Sequence, residues 1–224
     1  MSLIGDLTEL FQRHNCTLPK GVIHVGAYRT EENEWYIPWV NNNVVWVEAN
    51  PNTYNRYTKP LAEKVGQKCY CFAACNVDGK FANLQVPHGT TYEENNHSAG
   101  CSSLSNTTAL GPGSMIKVPI MSLDTLFRVE NLDISKYDFL NIDTEGAELL
   151  VLKGFESNID NINYILVEMS KGDRFNTGCS HDVLDTYLSE KGFELKEEST
   201  LYDNDWGDAF YIRSNMELEP KCAK

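Results

Sequence analysis

Short apolar runs that stop at a glycine or an acidic residue recur along this chain, and helical spacing fills most of the gaps between them. Residues 21–26, 44–48, 139–142 and 164–168 are too short for buried helices and too apolar for strands with one wet face. They read as strands buried on both sides. Residues 69–73 supply a third strand of this kind, with weaker ones at 84–86 and 116–120. Helices are expected at 31–40, from Pro51 to about residue 65, at 146–153 closed by Gly154, and at 181–191 stopped by Gly192. Leu3, Leu7, Leu10 and Phe11 add an amphipathic lead-in helix over about 2–14. Strands alternating with helices predict an α/β fold whose mostly parallel sheet is covered on both faces. The last two strands, 193–196 and 208–213, break the rule. Only residues 199–207 lie in the gap, too few for a parallel crossover, so the sheet should end in an antiparallel edge hairpin.

Charge narrows the partners. With 19 basic and 32 acidic residues the formal charge is −13, and nucleic-acid affinity depends on Lys and Arg displacing counterions from phosphate. A nucleic acid is therefore not an expected partner. The length of 224 residues fits a single domain over 1–224, with the N-terminal helix at its start and a polar insertion at about 87–115. No stretch of 18 apolar residues occurs and the first residues lack a basic leader, so neither a membrane span nor a signal peptide is expected. Seven cysteines, an odd count without a Cys-x-x-Cys pair, fit small buried hydrophobes in a reducing, cytoplasmic setting.

In open α/β sheets ligands bind beyond the carboxyl ends of the strands. The first such end is His24-Val25-Gly26-Ala27-Tyr28, where a glycine lets a ligand approach the backbone. A full Gly-x-Gly-x-x-Gly is missing, since Tyr28 and Glu31 stand where glycines belong, which argues against a dinucleotide and an NAD-dependent dehydrogenase. The second is Glu48-Ala49-Asn50, with Glu48 22 residues beyond Gly26, close to the spacing of a ribose-binding carboxylate. The third, Ala73-Ala74-Cys75, offers small residues on which a purine can lie, although simple close packing explains them as well. The fourth, Asp143-Thr144-Glu145-Gly146-Ala147-Glu148, gathers three carboxylates. Glu145 and Glu148 have a ready structural explanation in the first turn of a helix, and Asp143 at the strand tip has none.

The run from Asn141 to Gly154 resembles the signature of the FkbM family of S-adenosylmethionine-dependent methyltransferases. Shorter matches fall in the family's order at 22–27, 45–51, 102–104, 122–126 and 166–168, so the likeness extends from about residue 21 to 213. The resemblance implies a class I methyltransferase (Rossmann-like) fold with a seven-stranded sheet, and O-methylation of a hydroxyl on a sugar or a secondary metabolite. It further implies that His24, Gly26, Ala27, Tyr28 and Glu32 lie along the methionine part of the cofactor. Glu48, Ala49 and Asn50 then take the ribose, Ala74 and Cys75 the adenine, and Asp143 stands between cofactor and acceptor. His24 and Thr30 depart from the family pattern, which often has an acid and a glycine there.

An alcohol is a poor nucleophile at neutral pH, so methyl transfer to one needs a positioned base. Asp143 is the first candidate, with His181 and His97 behind it. Ser102, Ser103, Glu145 and Glu168 are candidate contacts to a small-molecule or glycan acceptor. Asp143, Glu145 and Glu168 also offer oxygen ligands to Mg²⁺, but sequence spacing does not bring the three together and the metal-free reading is preferred. A non-catalytic binding module with the same fold is the competing class, disfavoured by the presence of both Glu48 and Asp143. The polar segment 87–114, rich in Ser, Thr, Asn and Gly, reads as an acceptor-binding lid anchored by Leu104.

Overall fold

The computed structural model describes residues 5–87, 102–104, 112–170, 179–201 and 206–216. Among them the strands are β1 (Val22–Val25), β2 (Val44–Glu48), β3 (Lys68–Cys71), β4 (Ala73–Ala74), β5 (Lys80–Pro87), β6 (Gly113–Met121), β7 (Phe139–Ile142), β8 (Tyr164–Ser170), β9 (Phe193–Leu201) and β10 (Trp206–Arg213). The helices are α1 (Leu7–Arg13), α2 (Asn33–Val40), α3 (Pro51–Thr53), α4 (Lys59–Val65), α5 (Leu123–Val129), α6 (Glu148–Lys153) and α7 (His181–Glu190).

Seven strands make the main sheet in the order β3-β2-β1-β7-β8-β10-β9. The β3-β2-β1-β7-β8 part is parallel throughout, and β10 runs antiparallel to both β8 and β9. Residue alternation sorts each central strand between two cores. Ile23, Val25, Val45, Val47, Leu140, Ile142, Ile165 and Val167 face Leu126, Phe127, Leu152, Leu184 and Leu188 of α5, α6 and α7. Val22, Val44, Trp46, Phe139, Tyr164 and Leu166 face Leu10 and Phe11 of α1 and Tyr36 of α2. Helices therefore cover both faces, as the uninterrupted apolar runs require. The final hairpin forms, with β10 inserted between β8 and β9, which leaves β9 at the edge.

Several boundaries differ from the expectation. The lead-in helix begins at Leu7, where Gly5 takes a left-handed φ of +89° and Asp6 caps the amides of Thr8 and Glu9 at 2.7 and 3.2 Å. The run 69–73 is not one strand. β3 stops at Cys71, Phe72 turns into the core, and Ala73–Ala74 pair with β6 in a second sheet of order β4-β6-β5. The helix from Pro51 is interrupted by a π turn over Tyr54–Thr58, where the Lys59 amide reaches back to the Tyr54 carbonyl. Pro60, the next residue, has no N–H to continue the regular ladder. Finally, α6 starts at Glu148 and α2 at Asn33, two residues late in each case, because left-handed turns precede both.

Most of the 87–114 segment, including His97, lies outside the described residues. Residues 102–104 are described: Ser103 exchanges backbone hydrogen bonds with Gln85 of β5 at 2.8 and 3.1 Å, and Leu104 packs against the core of the second sheet. Among the described residues no helix is long and apolar enough to cross a membrane.

Candidate functional site

From β1 the chain proceeds outward to β2 and β3, and from β7 outward the other way to β8. β1 and β7 are neighbours. The crevice for a ligand opens at their carboxyl ends. The two tips are locked together, since Gly26 and Ala27 donate to the Val47 carbonyl at 2.9 and 3.1 Å and Asp143 donates to Val25 at 2.9 Å. Gly26 has φ +90°, and a Cβ there would lie 1.6 Å from the Asp143 carbonyl oxygen. Only glycine fits.

The left-handed residues are informative. Among the described residues, apart from three asparagines, the non-glycine residues of positive φ are Tyr28 (41°), Thr30 (59°) and Glu145 (53°), all in the turns after β1 and β7. Such strain persists only where the surroundings hold it, and it concentrates at functional sites. The Tyr28 turn is held by two partners. Its amide donates to Glu48 Oε2 at 2.8 Å, and its carbonyl accepts from Thr58 Oγ1 at 3.2 Å, within the π turn. On the Glu145 side, the Glu148 carboxylate folds back to accept from the Thr144 hydroxyl at 2.9 Å and the Gly146 amide at 2.9 Å. Glu148 is thus a buried cap, as its position in the first helical turn suggested.

Glu48 is buried, and its second oxygen accepts from the Asn50 amide at 2.7 Å. Burial pushes its carboxyl up to about 7 against the opposing pull of the Asn50, Tyr28 and Ala49 amides. Asn50 caps α3 through Asn52 at 3.0 Å and extends its side-chain amide to the Ser102 hydroxyl at 3.4 Å. Ser103, fully buried, donates its hydroxyl to the Glu145 carbonyl at 2.6 Å. Ser102 and Ser103 therefore join the tips of β2 and β7, beside the cradle.

The acidic residues converge. Asp143, Glu145 and Glu168 each present a carboxylate oxygen within 4.8 Å of the others. Asp143 is open to solvent yet enclosed by protein, as befits the floor of a crevice. Burial raises its carboxyl well above the usual range, and the charges of Glu145, Asp208, Glu32 and Glu148 add to the effect. Burial likewise raises Glu168, reinforced by Glu145, Asp143 and Glu148. Glu32 is the N-cap residue of α2, where its charge reaches both Asp143 and the His24 ring. Two members escaped the sequence reading. Asp208 sits opposite Glu168 in the β8–β10 register, and Trp206 donates its indole N–H to Glu168 Oε1. Nothing local marks either residue, because only the pairing of β10 with β8 brings them in.

The remaining candidates are placed as follows. His24 lies one layer beneath the crevice, with Nδ1 3.1 Å from the Tyr36 hydroxyl, which accepts from Asn141 at 2.8 Å. Burial lowers its pKa, so it packs as a neutral ring that hydrogen-bonds the Gly26 backbone and braces the turn. Ala74 and Cys75 are buried in the two cores that meet at β4, with the Cys75 amide bonded to Met121. His181 is not brought to Asp143. It faces Glu198 of β9 at 3.3 Å, three strand positions from β7, or roughly 14 Å at the usual spacing.

The seven-stranded sheet and its covering helices share the Rossmann-like fold of a solved FkbM methyltransferase. The Methyltransferase FkbM domain matches residues 24–195, and the chain belongs to that family. No curated protein matches its sequence. Among solved structures it is similar to an FkbM methyltransferase from Methylobacillus flagellatus KT, at 14% identity and a TM-score of 0.52, covering 86% of this chain and 43% of that one. This chain thus spans less than half the length of that relative. It is also similar to a SAM dependent methyltransferase from Aquifex aeolicus, at 12% identity, TM-score 0.46, and 93% and 89% coverage. A third likeness is M. capricolum TrmK with S-adenosyl-homocysteine, at 11% identity, TM-score 0.40, and 91% and 66% coverage.

Proposed function

We propose that this chain transfers the methyl group of S-adenosylmethionine to a hydroxyl of a sugar or glycan. The observation that carries the reading is Asp143. Its backbone closes against Gly26, its side chain is open to solvent and clusters with Glu145 and Glu168, and Ser103 bonds the turn that follows it. The chain's residues fit the cofactor. A side chain at position 26 would fill the cradle, Glu48 stands at the β2 tip for ribose hydroxyls, and an acid-lined crevice suits a sulfonium and an ammonium group. The same lining repels a pyrophosphate, against a nicotinamide dinucleotide.

S-adenosylmethionine, when bound, supplies an electrophilic methyl group. What remains for the protein is to hold the acceptor hydroxyl in line and to take its proton, and the solvent-open carboxylate of Asp143, raised above the usual range by burial, supports assigning it that role. Hydroxyl and amide side chains around it suit a hydrogen-bonding acceptor better than an apolar one.

The test incubates the chain with S-adenosylmethionine and a panel of glycans and reads a mass gain of about 14 Da, one methylene. Asp143→Asn should keep cofactor affinity and lose transfer by about 10²–10⁴-fold. Transfer within a few-fold of the parent places the base elsewhere. Cofactor binding with no transfer to any hydroxyl compound favours a binding module.

A further inference from the structure

We propose that Asp143, Glu145 and Glu168 form a site for one divalent cation of the oxygen-preferring class, Mg²⁺, Mn²⁺ or Ca²⁺. Three carboxylate oxygens drawn from the turn after β7 and from β8 lie within 4.8 Å of one another. Around a Ca²⁺ ion with ligands at about 2.3–2.6 Å, two oxygens stand at most about 5 Å apart, so the set fits one coordination sphere, with a small contraction for Mg²⁺ at about 2.0–2.1 Å. Donor chemistry agrees, since carboxylates without thiolate or imidazole select hard cations.

A second observation is independent of the clustering. Glu168 is 4% exposed, its Oε1 is taken by Trp206, and its Oε2 is buried without a hydrogen-bond partner among the described residues. A buried carboxylate oxygen left so forfeits its hydration with nothing in exchange. Among the described residues, the charges that weigh most on Asp143 and Glu168 are acidic: Glu32, Glu145, Glu148, Asp208 and each other. A cation supplies both a partner for Oε2 and a positive charge among them. Asp143, open to the crevice, leaves the ion accessible to an oxygen of the acceptor, which the ion would fix and polarise. This role at the acceptor rests on the proposed methyl transfer, while the binding of the ion does not.

The experiment strips the full chain with EDTA, desalts it, and titrates Mn²⁺ while electron paramagnetic resonance counts the free ion. One Mn²⁺ should bind per chain, displaced by Mg²⁺ or Ca²⁺. Glu168→Gln, which keeps an acceptor for Trp206, and Glu145→Gln should each weaken it about tenfold or more, and Glu9→Gln, an exposed acid on α1, should leave it unchanged. Thermal unfolding of each variant checks its fold, and either folded variant suffices. No saturable binding up to about 1 mM, the weak end of biological sites, overturns the site. So does parent-like affinity in a folded variant. Calorimetry with S-adenosylmethionine in EDTA separates the two readings. A chain that binds Mn²⁺ through Glu168 but no cofactor loses the proposed function and keeps the site. Full-rate methyl transfer in EDTA keeps the proposed function and removes the ion's role at the acceptor.

Discussion

Gly26 admits no side chain, because its φ of +90° and the Asp143 carbonyl 1.6 Å from any Cβ exclude one on two separate grounds. Gly26→Ala should therefore part the β1 and β7 tips, destabilising the fold by about 2–4 kcal/mol and weakening the cofactor more than a distant mutation of equal cost. Urea unfolding and calorimetry read the two effects; a variant unchanged in both removes the cradle. Glu48 gives a prediction with a definite sign. Its carboxyl is raised from the ordinary 4.5 to about 7 by burial. Below pH 4.5 it is protonated in folded and unfolded chains alike and adds nothing. As pH rises towards 7 the unfolded chain releases its proton first, so stability falls through that window and the loss is complete above it, at about 3 kcal/mol. Glu48→Gln should gain that amount on the parent between pH 4 and 8, measured by urea unfolding across the range; parallel profiles sink the assignment. If Glu48 takes the ribose hydroxyls, they donate to its ionised form, and parent affinity for S-adenosylmethionine should rise about tenfold from pH 6 to 8. The Gln variant should show no such rise and bind about 10- to 150-fold more weakly.

At the scale of elements, the turn between β7 and α6 and the short piece 102–104 act as one unit. Ser103 gives its backbone to Gln85 and its hydroxyl to the Glu145 carbonyl, so the strained φ of Glu145 is tied to the second sheet. Ser103→Ala leaves that buried carbonyl short of a donor and should cost about 1–3 kcal/mol. Ser102→Ala, which loses only a 3.4 Å contact to Asn50, should cost less. Equal and negligible effects on unfolding would show that the bridge carries no strain. The residues from Asn141 to Gly154 were legible as strand, turn and helix, and Asp143 as a group with no structural excuse. Their left-handed turn was not, because it depends on Glu148 folding back and on Ser103, more than 40 positions away. The same limit misread 69–73. A run of small and apolar residues carries no mark of the place where it leaves one sheet for another.

For the molecule as a whole, the covered faces and the reversed strand followed from apolar runs, helical gaps and one gap too short for a crossover, whereas the strand count did not, because the third expected strand divides between two sheets. The site was half legible. Glu48 and Asp143 sit at the ends of strands that adjoin β1 in the parallel sheet. Asp208 and Trp206 join only through β10, which enters the sheet beside β8 from the far end of the chain. The acceptor has to be argued from charge rather than from architecture, since one fold serves many substrates. The formal charge is −13, and at the strand tips Glu145 and Glu168 cluster with Asp143, on which the charges of Glu32, Glu148 and Asp208 also act. A polyphosphate backbone approaching these carboxylates meets repulsion at long and short range. Neutral hydroxyl compounds meet neither penalty. Fluorescence anisotropy with a labelled RNA of about 20 nucleotides at about 0.05 M salt, where such binding is strongest, should show no saturable signal. Saturable binding that weakens steeply with added salt would reveal a basic surface that outweighs the acidic crevice, and the acceptor would then be sought among nucleic acids.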